Sequence, residues 1–332
     1  MRLLPLSSAS AALALLLLPT AAFTAFAAES SGTSSFTISD PRIKESSGLA
    51  ASRLHPGVYW THNDSDDGPY VYAVDSATGR TVARVTLTGI GKPRDVEAIS
   101  LGPDGQLYVG DIGDNRDGTW DHVWIYRFPE PKELRDTTVT AAQFTVRYAD
   151  GPRNAEALMV HPVTGRVYIA SKNESKGGLY EGPEQLSASG TNVFRRVADV
   201  PWVTDGAFSP DGSRLTLRGY FTARTYPWKN GRPEGEGERV DAPWQGQAES
   251  VTYAADASAL MFGAEGADSR VVAVPLAAAA SPSAAPQPGS PPQPAPSAEP
   301  SGTFGKGALV LAAALALTFA AKRLFRRAGP RK

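Results

Sequence analysis

Residues 96–115 read VEAISLGPDGQLYVGDIGDN: an acidic start, an apolar strand, a tight turn and a second apolar strand. The Asp104-Gly105 pair favours a positive φ and therefore a hairpin between the two strands. Four further copies of this pattern occur along the chain. They are SSGLAASRLHPGVYWTHND from Ser46, AEALMVHPVTGRVYIASKNE from Ala155, TDGAFSPDGSRLTLRGY from Thr204 and AESVTYAADASALMFGAEG from Ala248. The body of the chain is therefore predicted to be a repeat of paired strands.

The spacing of the copies indicates the architecture. The acids at their starts, Glu97, Glu156, Asp205 and Glu249, are 59, 49 and 44 residues apart, near the ~40–50 residues of a four-stranded propeller blade. A β-sandwich would not need such a period. We therefore predict an all-β fold, a β-propeller of five blades over residues 36–276, with six blades as the alternative if the long second copy hides one. The isolated strand Phe36–Ile38 is predicted to supply the fourth strand of the last blade and latch the ring.

Composition excludes several classes of protein. Of the 332 residues, 42% are hydrophobic and 20% are charged, so a core can be buried and global disorder is excluded. The absence of cysteine excludes a disulfide scaffold, a thiolate metal site and a cysteine nucleophile. The net charge is −1, but residues 306–332 carry seven basic residues and no acid, which leaves the body acidic. An acidic body argues against a nucleic-acid partner and fits cation binding or simple solubility.

The two ends of the chain have the composition of targeting segments. Arg2, the apolar run Ala11–Leu18 and the motif Ala25-Phe26-Ala27 predict a signal peptide over residues 1–27, with an uncleaved anchor as the alternative. Residues 277–303 contain eight prolines and almost no charge, and they are predicted to be a Pro/Ala/Ser-rich disordered linker. Residues 307–325 are predicted to form one transmembrane helix, followed by a basic cytoplasmic tail over 326–332. Together these segments predict a type I single-pass protein of the cell membrane whose propeller is extracellular.

The repeat brings polar residues together. In a propeller, the first strand of each blade starts on the face where the second strand ends, and these positions surround the mouth of the central channel. Carboxylates that converge there repel one another unless a cation lies among them or some are protonated, and oxygen ligands suit Ca²⁺. The sequence therefore predicts a Ca²⁺ site, with candidate ligands Glu97, Asp111, Asn154, Glu156 and Glu249. The alternative is that each glutamate hydrogen-bonds backbone N–H groups of the next blade and only ties the ring together.

Two polar loops follow second strands of the repeat. Residues 62–68, HNDSDDG, have the spacing of the first half of a calcium loop, and residues 110–118 read GDIGDNRDG. Each is either a ligand-binding loop or a well-satisfied turn, since Asp and Asn cap turns routinely. The candidate ligand-binding residues are Asp64, Asp67, Asp114, Asn115 and the neighbouring Trp120. His62 and His122 are the candidate proton carriers for catalysis, because only these two histidines are predicted near the mouth.

Four stretches carry a resemblance to a known group of proteins. They are THNDSDDGPYVYAVD (residues 61–75), DVEAISLGPDGQLYVGDIGDN (95–115), NAEALMV (154–160) and QAESVTY (247–253). They resemble secreted bacterial β-propellers of the WD-repeat-like or TolB-like kind, near the phytase-like esterase propellers, over most of residues 40–275. The Trp-Asp pair of true WD repeats is missing. Calcium-dependent propeller hydrolases of the lactonase and phytase types place acids and Asn around the channel, which by similarity favours Glu97, Asn154, Glu156 and Glu249 as ligands.

Two classes of function follow from these observations. The first is a non-enzymatic, membrane-anchored surface module that binds an extracellular protein, a glycan or a small ligand. The second is a Ca²⁺-dependent hydrolase that acts on an ester, a lactone or a phosphoester. The chain has no G-x-S-x-G elbow and no H-E-x-x-H motif, and few basic residues are predicted near the mouth to hold phosphates. These absences favour the binding module over the enzyme.

Overall fold

The computed structural model describes residues 33–116, 118–175 and 177–276, and every regular element in this part of the chain is a β-strand. In chain order the strands are β1 (Phe36–Thr37), β2 (Ser46–Ala51), β3 (Val58–Asn63), β4 (Tyr70–Asp75), β5 (Thr81–Thr88), β6 (Ala98–Leu101), β7 (Gln106–Asp111), β8 (Val123–Pro129), β9 (Thr137–Thr140), β10 (Ala142–Tyr148), β11 (Ala155–Val160), β12 (Val167–Ser171), β13 (Gly177–Glu181), β14 (Thr191–Val200), β15 (Asp205–Phe208), β16 (Arg214–Arg218), β17 (Ala223–Lys229), β18 (Arg232–Pro233), β19 (Glu238–Val240), β20 (Ala248–Tyr253), β21 (Ala259–Ala264) and β22 (Arg270–Pro275). The prediction of an all-β fold is confirmed.

The strands form five antiparallel units of four strands each. Unit 1 is β2-β3-β4-β5, unit 2 is β6-β7-β8-β10, unit 3 is β11-β12-β13-β14, unit 4 is β15-β16-β17-β19 and unit 5 is β20-β21-β22-β1. Each unit opens with the hairpin that the repeat predicts. Gly105 and Gly212, in the turns of units 2 and 4, have φ values of 69° and 72°, a region that glycine enters without steric cost.

The five units follow one another around a closed circle. The inner strand of each unit contacts the inner strand of the next, in the order β2, β6, β11, β15, β20 and back to β2. The circle is closed by the start of the described chain, because β1 pairs with β22, with Phe36 opposite Val271. This arrangement of curled sheets is propeller-like, and the predicted latch strand is confirmed.

The extra length of the second copy forms an added strand rather than a further unit. β9 leaves unit 2 and pairs in parallel with β5 of unit 1. A second parallel pair, β10 with β14, joins units 2 and 3 into one eight-stranded sheet. The 59-residue spacing between Glu97 and Glu156 is therefore explained by a connection between units.

Apolar side chains fill the spaces between neighbouring units. Between units 1 and 2 the buried cluster includes Trp60, Val85, Val109 and Phe128. The indole N–H of Trp60 donates a 2.8 Å hydrogen bond to the buried Glu130 carboxylate, so its one polar group is satisfied. Trp60 therefore belongs to the packing between units 1 and 2.

Several predictions lie outside the described residues. They are the signal peptide over 1–27, the linker over 277–303, the transmembrane helix over 307–325 and the tail over 326–332. Across the residues that the structure does describe, there is no helix long and apolar enough to cross a membrane.

The latch strand generates a test of ring closure. The Phe36 ring is buried and packs 5.4 Å from the Tyr59 ring of unit 1, in a cluster that also contains Met261 of unit 5. We expect Phe36→Ala to lower the free energy of unfolding by about 3–5 kcal/mol, measured by urea denaturation. The exposed neighbour Thr37 supplies the control, and Thr37→Ala should change stability by less than about 0.5 kcal/mol. Equal effects of the two substitutions would contradict the latch.

Candidate functional site

One position recurs at the start of every inner strand. The register of each hairpin makes Ser47, Glu97, Glu156, Asp205 and Glu249 equivalent, and all five are buried. Because the inner strands form a closed circle, these residues lie at one edge of it. We call this edge, together with the ends of β3, β7, β12, β16 and β21, the mouth. Four of its five equivalent positions carry acids, so like charges converge on the axis of the ring.

Three carboxylates cluster where units 1 and 2 meet. Oxygens of Asp64, Asp95 and Glu97 all lie within 4.8 Å of one another, and all three side chains are buried. Asp64 follows β3, and the other two precede β6. Unit 1 has Ser47 in place of an acid, and its hydroxyl donates a 3.0 Å hydrogen bond to Glu97. The missing acid of unit 1 is thus replaced by Asp64 from the neighbouring strand.

Burial and like charge act together on Glu97. Burial raises the pKa of Glu97 well above its usual value, and the charges of Glu156, Asp64 and Asp95 raise it further. A carboxyl in this situation holds a proton unless a cation comes close. The cluster can therefore exchange a proton for a cation.

The backbone of Gly113 passes close to the carboxylates of this cluster. Gly113 has no side chain, and a Cβ there would lie 2.6 Å from Asp95 Oδ2 and 2.8 Å from Glu97 Oε1. A side chain at this position would cover those two oxygens. Glycine leaves the space beside them open, and we call this space the cradle.

Lys172 carries a positive charge into the mouth. Its Nζ lies 2.8 Å from Glu156 Oε1, and its side chain is 15% exposed. Burial alone would lower the pKa of Lys172, but the charges of Glu156 and Glu249 outweigh that effect and hold the pKa well above its usual value. Burial raises the pKa of Glu156, and Lys172 opposes that rise. Glu156, predicted as a calcium ligand, thus pairs with a protein ammonium group, and the charge of Glu249, also a predicted ligand, acts on the same group.

Lys172 follows β12 as Asp64 follows β3, so the two occupy related positions in their units. The repeat places Lys172 at the end of a second strand, but it does not reveal its partners, because Glu249 comes from a different unit. Sequence reasoning therefore missed its role as the counter-charge. A basic residue among acids at a repeated position is the signal that could have found it.

The buried carboxylate of Asp205 is stabilised by a hydrogen bond from the backbone of the next unit. One of its carboxylate oxygens accepts a 2.8 Å hydrogen bond from the backbone N–H of Val251 in unit 5. This is the ring-tying contact that was the alternative to a metal site, and among the five equivalent positions it is made by the acid of unit 4. The carboxylate of unit 4 therefore joins two inner strands.

Asp111 and Asn115 position the segment that carries Asp95. Asp111 accepts hydrogen bonds from the backbone N–H groups of Arg94 and Asp95, at 3.1 and 3.0 Å, and from the Tyr126 hydroxyl at 2.6 Å. The Asn115 amide donates to Asp95 Oδ2 at 2.8 Å. Asp111, a predicted cation ligand, thus contacts backbone and a tyrosine rather than the carboxylate cluster.

The remaining predicted loop residues organise their own loops. Asp114 accepts a 2.6 Å hydrogen bond from the backbone N–H of Trp120, and its own N–H donates to Asn154 Oδ1 at 2.9 Å. Asp67 accepts hydrogen bonds from Asn63 Nδ2 at 2.7 Å and from the Tyr72 hydroxyl at 2.9 Å. Asp67 and Asp114 do not belong to the carboxylate cluster, and the side-chain oxygen of Asn154 accepts the hydrogen bond from the Asp114 backbone.

The two candidate histidines lie in different surroundings. His62 is buried, its Nδ1 lies 3.2 Å from the Asn63 carbonyl oxygen, and its Nε2 has no hydrogen-bond partner within the described ranges. Burial lowers the pKa of His62 to about 4, so its ring is neutral at pH 7. His122 is partly exposed, and its Nδ1 lies 2.6 Å from Asp121 Oδ1.

Trp120 lies on the mouth side of unit 2, against a basic residue. The Arg94 guanidinium lies 4.0 Å from the centroid of the Trp120 ring and 3.8 Å from that of Trp124. Trp120, His122 and Tyr148 line a cleft of about 220 Å³. One face of Trp120 is therefore already covered by Arg94.

Comparison with known proteins adds little to this description. No protein-family model matches the sequence, and no curated protein matches it. Among solved structures, the PQQ-bound aldose sugar dehydrogenase of Streptomyces coelicolor aligns with 71% of this chain and 95% of its own at 13% identity and a TM-score of 0.44. Hydrazine synthase of Kuenenia stuttgartiensis aligns with 65% of this chain and 61% of its own at 12% identity and a TM-score of 0.37. The propeller-like fold therefore rests on the strand topology, and the resemblance to WD-repeat-like or TolB-like propellers stays a prediction.

The ion pair of Lys172 generates the first test at the mouth. Removing one partner of a buried pair leaves the other charge uncompensated, so we expect Lys172→Met to destabilise the fold by about 3–5 kcal/mol. Adding Glu156→Gln to that variant should recover part of the loss. Lys229→Met is the matched control, since Lys229 forms an exposed pair with Glu234, and it should cost less than about 1 kcal/mol. A double-mutant cycle by urea denaturation measures the coupling, and zero coupling would contradict the buried pair.

His62 generates a test of pH dependence. Its pKa of about 4 in the folded state lies below the 6.5 of a free histidine, so the unfolded chain takes up a proton at a higher pH than the folded chain does. Stability contributed by the neutral ring is complete above pH 6.5 and is lost as pH falls toward 4, by about 3 kcal/mol in total. We expect His62→Gln to flatten this part of the stability profile. Urea unfolding at pH 7, 6, 5 and 4 in chelator would show it, and an unchanged slope in the variant would contradict the assignment.

Proposed function

We propose that residues 36–276 form a five-bladed β-propeller, one blade for each unit, that binds Ca²⁺ at its mouth and serves as a binding module for an extracellular ligand or protein. The predicted signal peptide and the apolar segment over 307–325 support its placement outside the cell membrane on a single C-terminal anchor. The observation that carries the cation proposal is the cluster of Asp64, Asp95 and Glu97, with oxygens within 4.8 Å of one another.

The chemistry of these donors fits a hard cation. Ca²⁺ takes six to eight oxygen ligands and accepts carboxylates in irregular geometry. Its double charge would offset the repulsion that raises the pKa of Glu97. The cradle left by Gly113, beside Asp95 Oδ2 and Glu97 Oε1, supports access to those oxygens.

The proposed ligand set differs from the one that the repeat alone favours. Asp64, Asp95 and Glu97 would hold the ion. Glu156 and Glu249 would stay with the Lys172 ammonium, because a protein cation already offsets their charge. Asp111 and Asn154 would support the loops around the site through the hydrogen bonds they already make.

A hydrolase is the second candidate, and the carboxylate cluster of Asp64, Asp95 and Glu97 favours it, because an ion held there could act on a substrate. Bound Ca²⁺ would polarise an ester, lactone or phosphoester oxygen. The binding module remains the first proposal, because His62 is enclosed and His122 lies against Asp121 in the loop before β8.

Calcium-dependent stability tests the cation site. We expect the chelated full-length chain to gain a saturable stabilisation with Ca²⁺, about 2.7 kcal/mol at 100 times the Kd. For a domain of this size, that corresponds to a rise of several degrees in the unfolding midpoint. Mg²⁺ should not match it, because it demands smaller, more regular coordination. Differential scanning calorimetry would measure the effect.

The substitution Glu97→Gln separates the cation site from a merely structural role. The neutral amide replaces a carboxyl whose charged form is disfavoured by burial, so the chelated variant should be at least as stable as the wild type, yet it should lose the response to Ca²⁺. Glu133→Gln is the control, because Glu133 is exposed in the segment between β8 and β9, and it should keep the full response. A variant that still responds to Ca²⁺ would exclude this cluster. Turnover of a phosphoester, ester or lactone that disappears in Glu97→Gln would favour the hydrolase over the binding module.

A further inference from the structure

The mouth side of units 4 and 5 carries an exposed aromatic surface. Phe221, between β16 and β17, is 53% exposed, and Trp244, between β19 and β20, is 64% exposed. Their rings lie 5.6 Å apart with only 31° between their planes. Large aromatic side chains left together in water at a ring's mouth point to a ligand that covers them.

Further aromatic residues hold this surface in place. The Trp202 and Tyr220 rings pack edge-on at 5.2 Å, and Tyr220 lies 6.4 Å from Phe221. Tyr220 also lies against the Lys172 ammonium, 5.2 Å from its Nζ. We call Trp202, Tyr220, Phe221 and Trp244 the aromatic rim. The rim is a row of contacting rings that extends from the exposed Trp244 to Tyr220, which lies beside Lys172 at the mouth.

A polar cleft opens beside the rim. Its volume is about 540 Å³, and its lining includes Trp244, Gln245, Glu265, Asp268, Ser269 and Arg270. Ser269 is 5% exposed, and its hydroxyl oxygen has no hydrogen-bond partner among the described residues. A cleft of this size accommodates a small organic ligand. The Ser269 hydroxyl is closed off from solvent, so a ligand would contact the more exposed polar groups of the lining instead.

We propose that this cleft and the aromatic rim bind a saccharide. A sugar ring has an apolar face of C–H groups, which stacks on exposed aromatic rings, and hydroxyl groups that both donate and accept hydrogen bonds. The cleft offers carboxylates of Glu265 and Asp268 as acceptors and the Arg270 guanidinium as a donor. This inference gives the ligand class for the proposed binding module and rests on that function, but it does not need the cation site.

The geometry favours a sugar over an organic cation. Recognition of a quaternary ammonium requires ring faces that surround the charge. Phe221 and Trp244 lie 5.6 Å apart and 31° from parallel, so they pack against each other and leave no space between their faces for a cation.

Oligosaccharide binding tests the inference on the full-length chain, purified in a zwitterionic, sugar-free detergent. The probes are immobilised β-1,4-glucose, α-1,4-glucose, β-1,4-N-acetylglucosamine and α-mannose oligosaccharides, and titration calorimetry follows for those that bind. We expect at least one to bind and Trp244→Ala to weaken it by about tenfold or more, the loss of one aromatic stacking contact. Phe221→Ala should weaken binding as well, and Trp244→Phe should retain part of it.

Val163→Ala is the matched control. Val163 is 68% exposed in the turn between β11 and β12, on the face opposite the mouth, and its truncation should leave saccharide binding unchanged. Failure of all four probes to bind would overturn the inference. So would binding that neither Trp244→Ala nor Phe221→Ala weakens.

Calcium measurements in the same samples separate the two proposals. Trp244→Ala should keep the full stabilisation by Ca²⁺, because Trp244 lies between β19 and β20, whereas the carboxylate cluster lies where units 1 and 2 meet. Saccharide binding without any Ca²⁺ response would refute the cation site and leave the saccharide site standing. A Ca²⁺ response without saccharide binding would refute the saccharide site alone.

Discussion

The pairing of β1 with β22 joins two strands that are more than 230 residues apart in the chain, Phe36 lying opposite Val271. Bringing such distant segments together costs chain entropy before any contact repays it. The stabilisation gained in exchange is large, because the short strand covers the open edge of β22. Its residues also pack against both unit 1 and unit 5. Every other feature of the mouth depends on this closure. Only a closed ring brings the starts of all five inner strands to one edge.

Closure has an electrostatic consequence, because the repeat puts an acid at four of the five equivalent positions. Each unit resolves the resulting repulsion in its own way. Asp205 accepts a hydrogen bond from the Val251 backbone. Glu156 pairs with Lys172. Unit 1 has Ser47 instead of an acid, and there Glu97 accepts a hydroxyl hydrogen bond beside two aspartates. The departures from the repeat, rather than the repeat itself, make the unit 1–unit 2 junction chemically distinct.

The repeat made the hairpins, their turns and the latch predictable, since these follow from local pattern and from the count of strands in the last copy. It did not predict β9, because the sequence Thr137–Thr140 does not reveal that it pairs in parallel with a strand of another unit. At the mouth, the sequence predicts Glu97 as a Ca²⁺ ligand and Asp64 as a ligand-binding residue, so it does not place the two in one site. Their meeting depends on how unit 1 packs against unit 2, where the backbone N–H of Val96 donates a 2.9 Å hydrogen bond to the Asp64 carbonyl oxygen. Lys172 was missed as a counter-charge for the same reason, since the acids around it come from three units.

Main-chain hydrogen bonds between units are unevenly distributed among the described residues. The parallel strand pair β5-β9 joins unit 1 to unit 2, and the parallel pair β10-β14 joins unit 2 to unit 3. Units 3, 4 and 5 have no such strand pairs between them in the described part of the chain, and bonds that involve a side chain, such as the one from the Val251 N–H to Asp205, join units 4 and 5. The ring is therefore mechanically anisotropic, with a stiff arc and a compliant one. The carboxylate cluster lies on the stiff arc, at the junction of units 1 and 2. The aromatic rim, Trp202 to Trp244, spans the compliant arc, where neighbouring sheets can adjust their separation without breaking a strand pair.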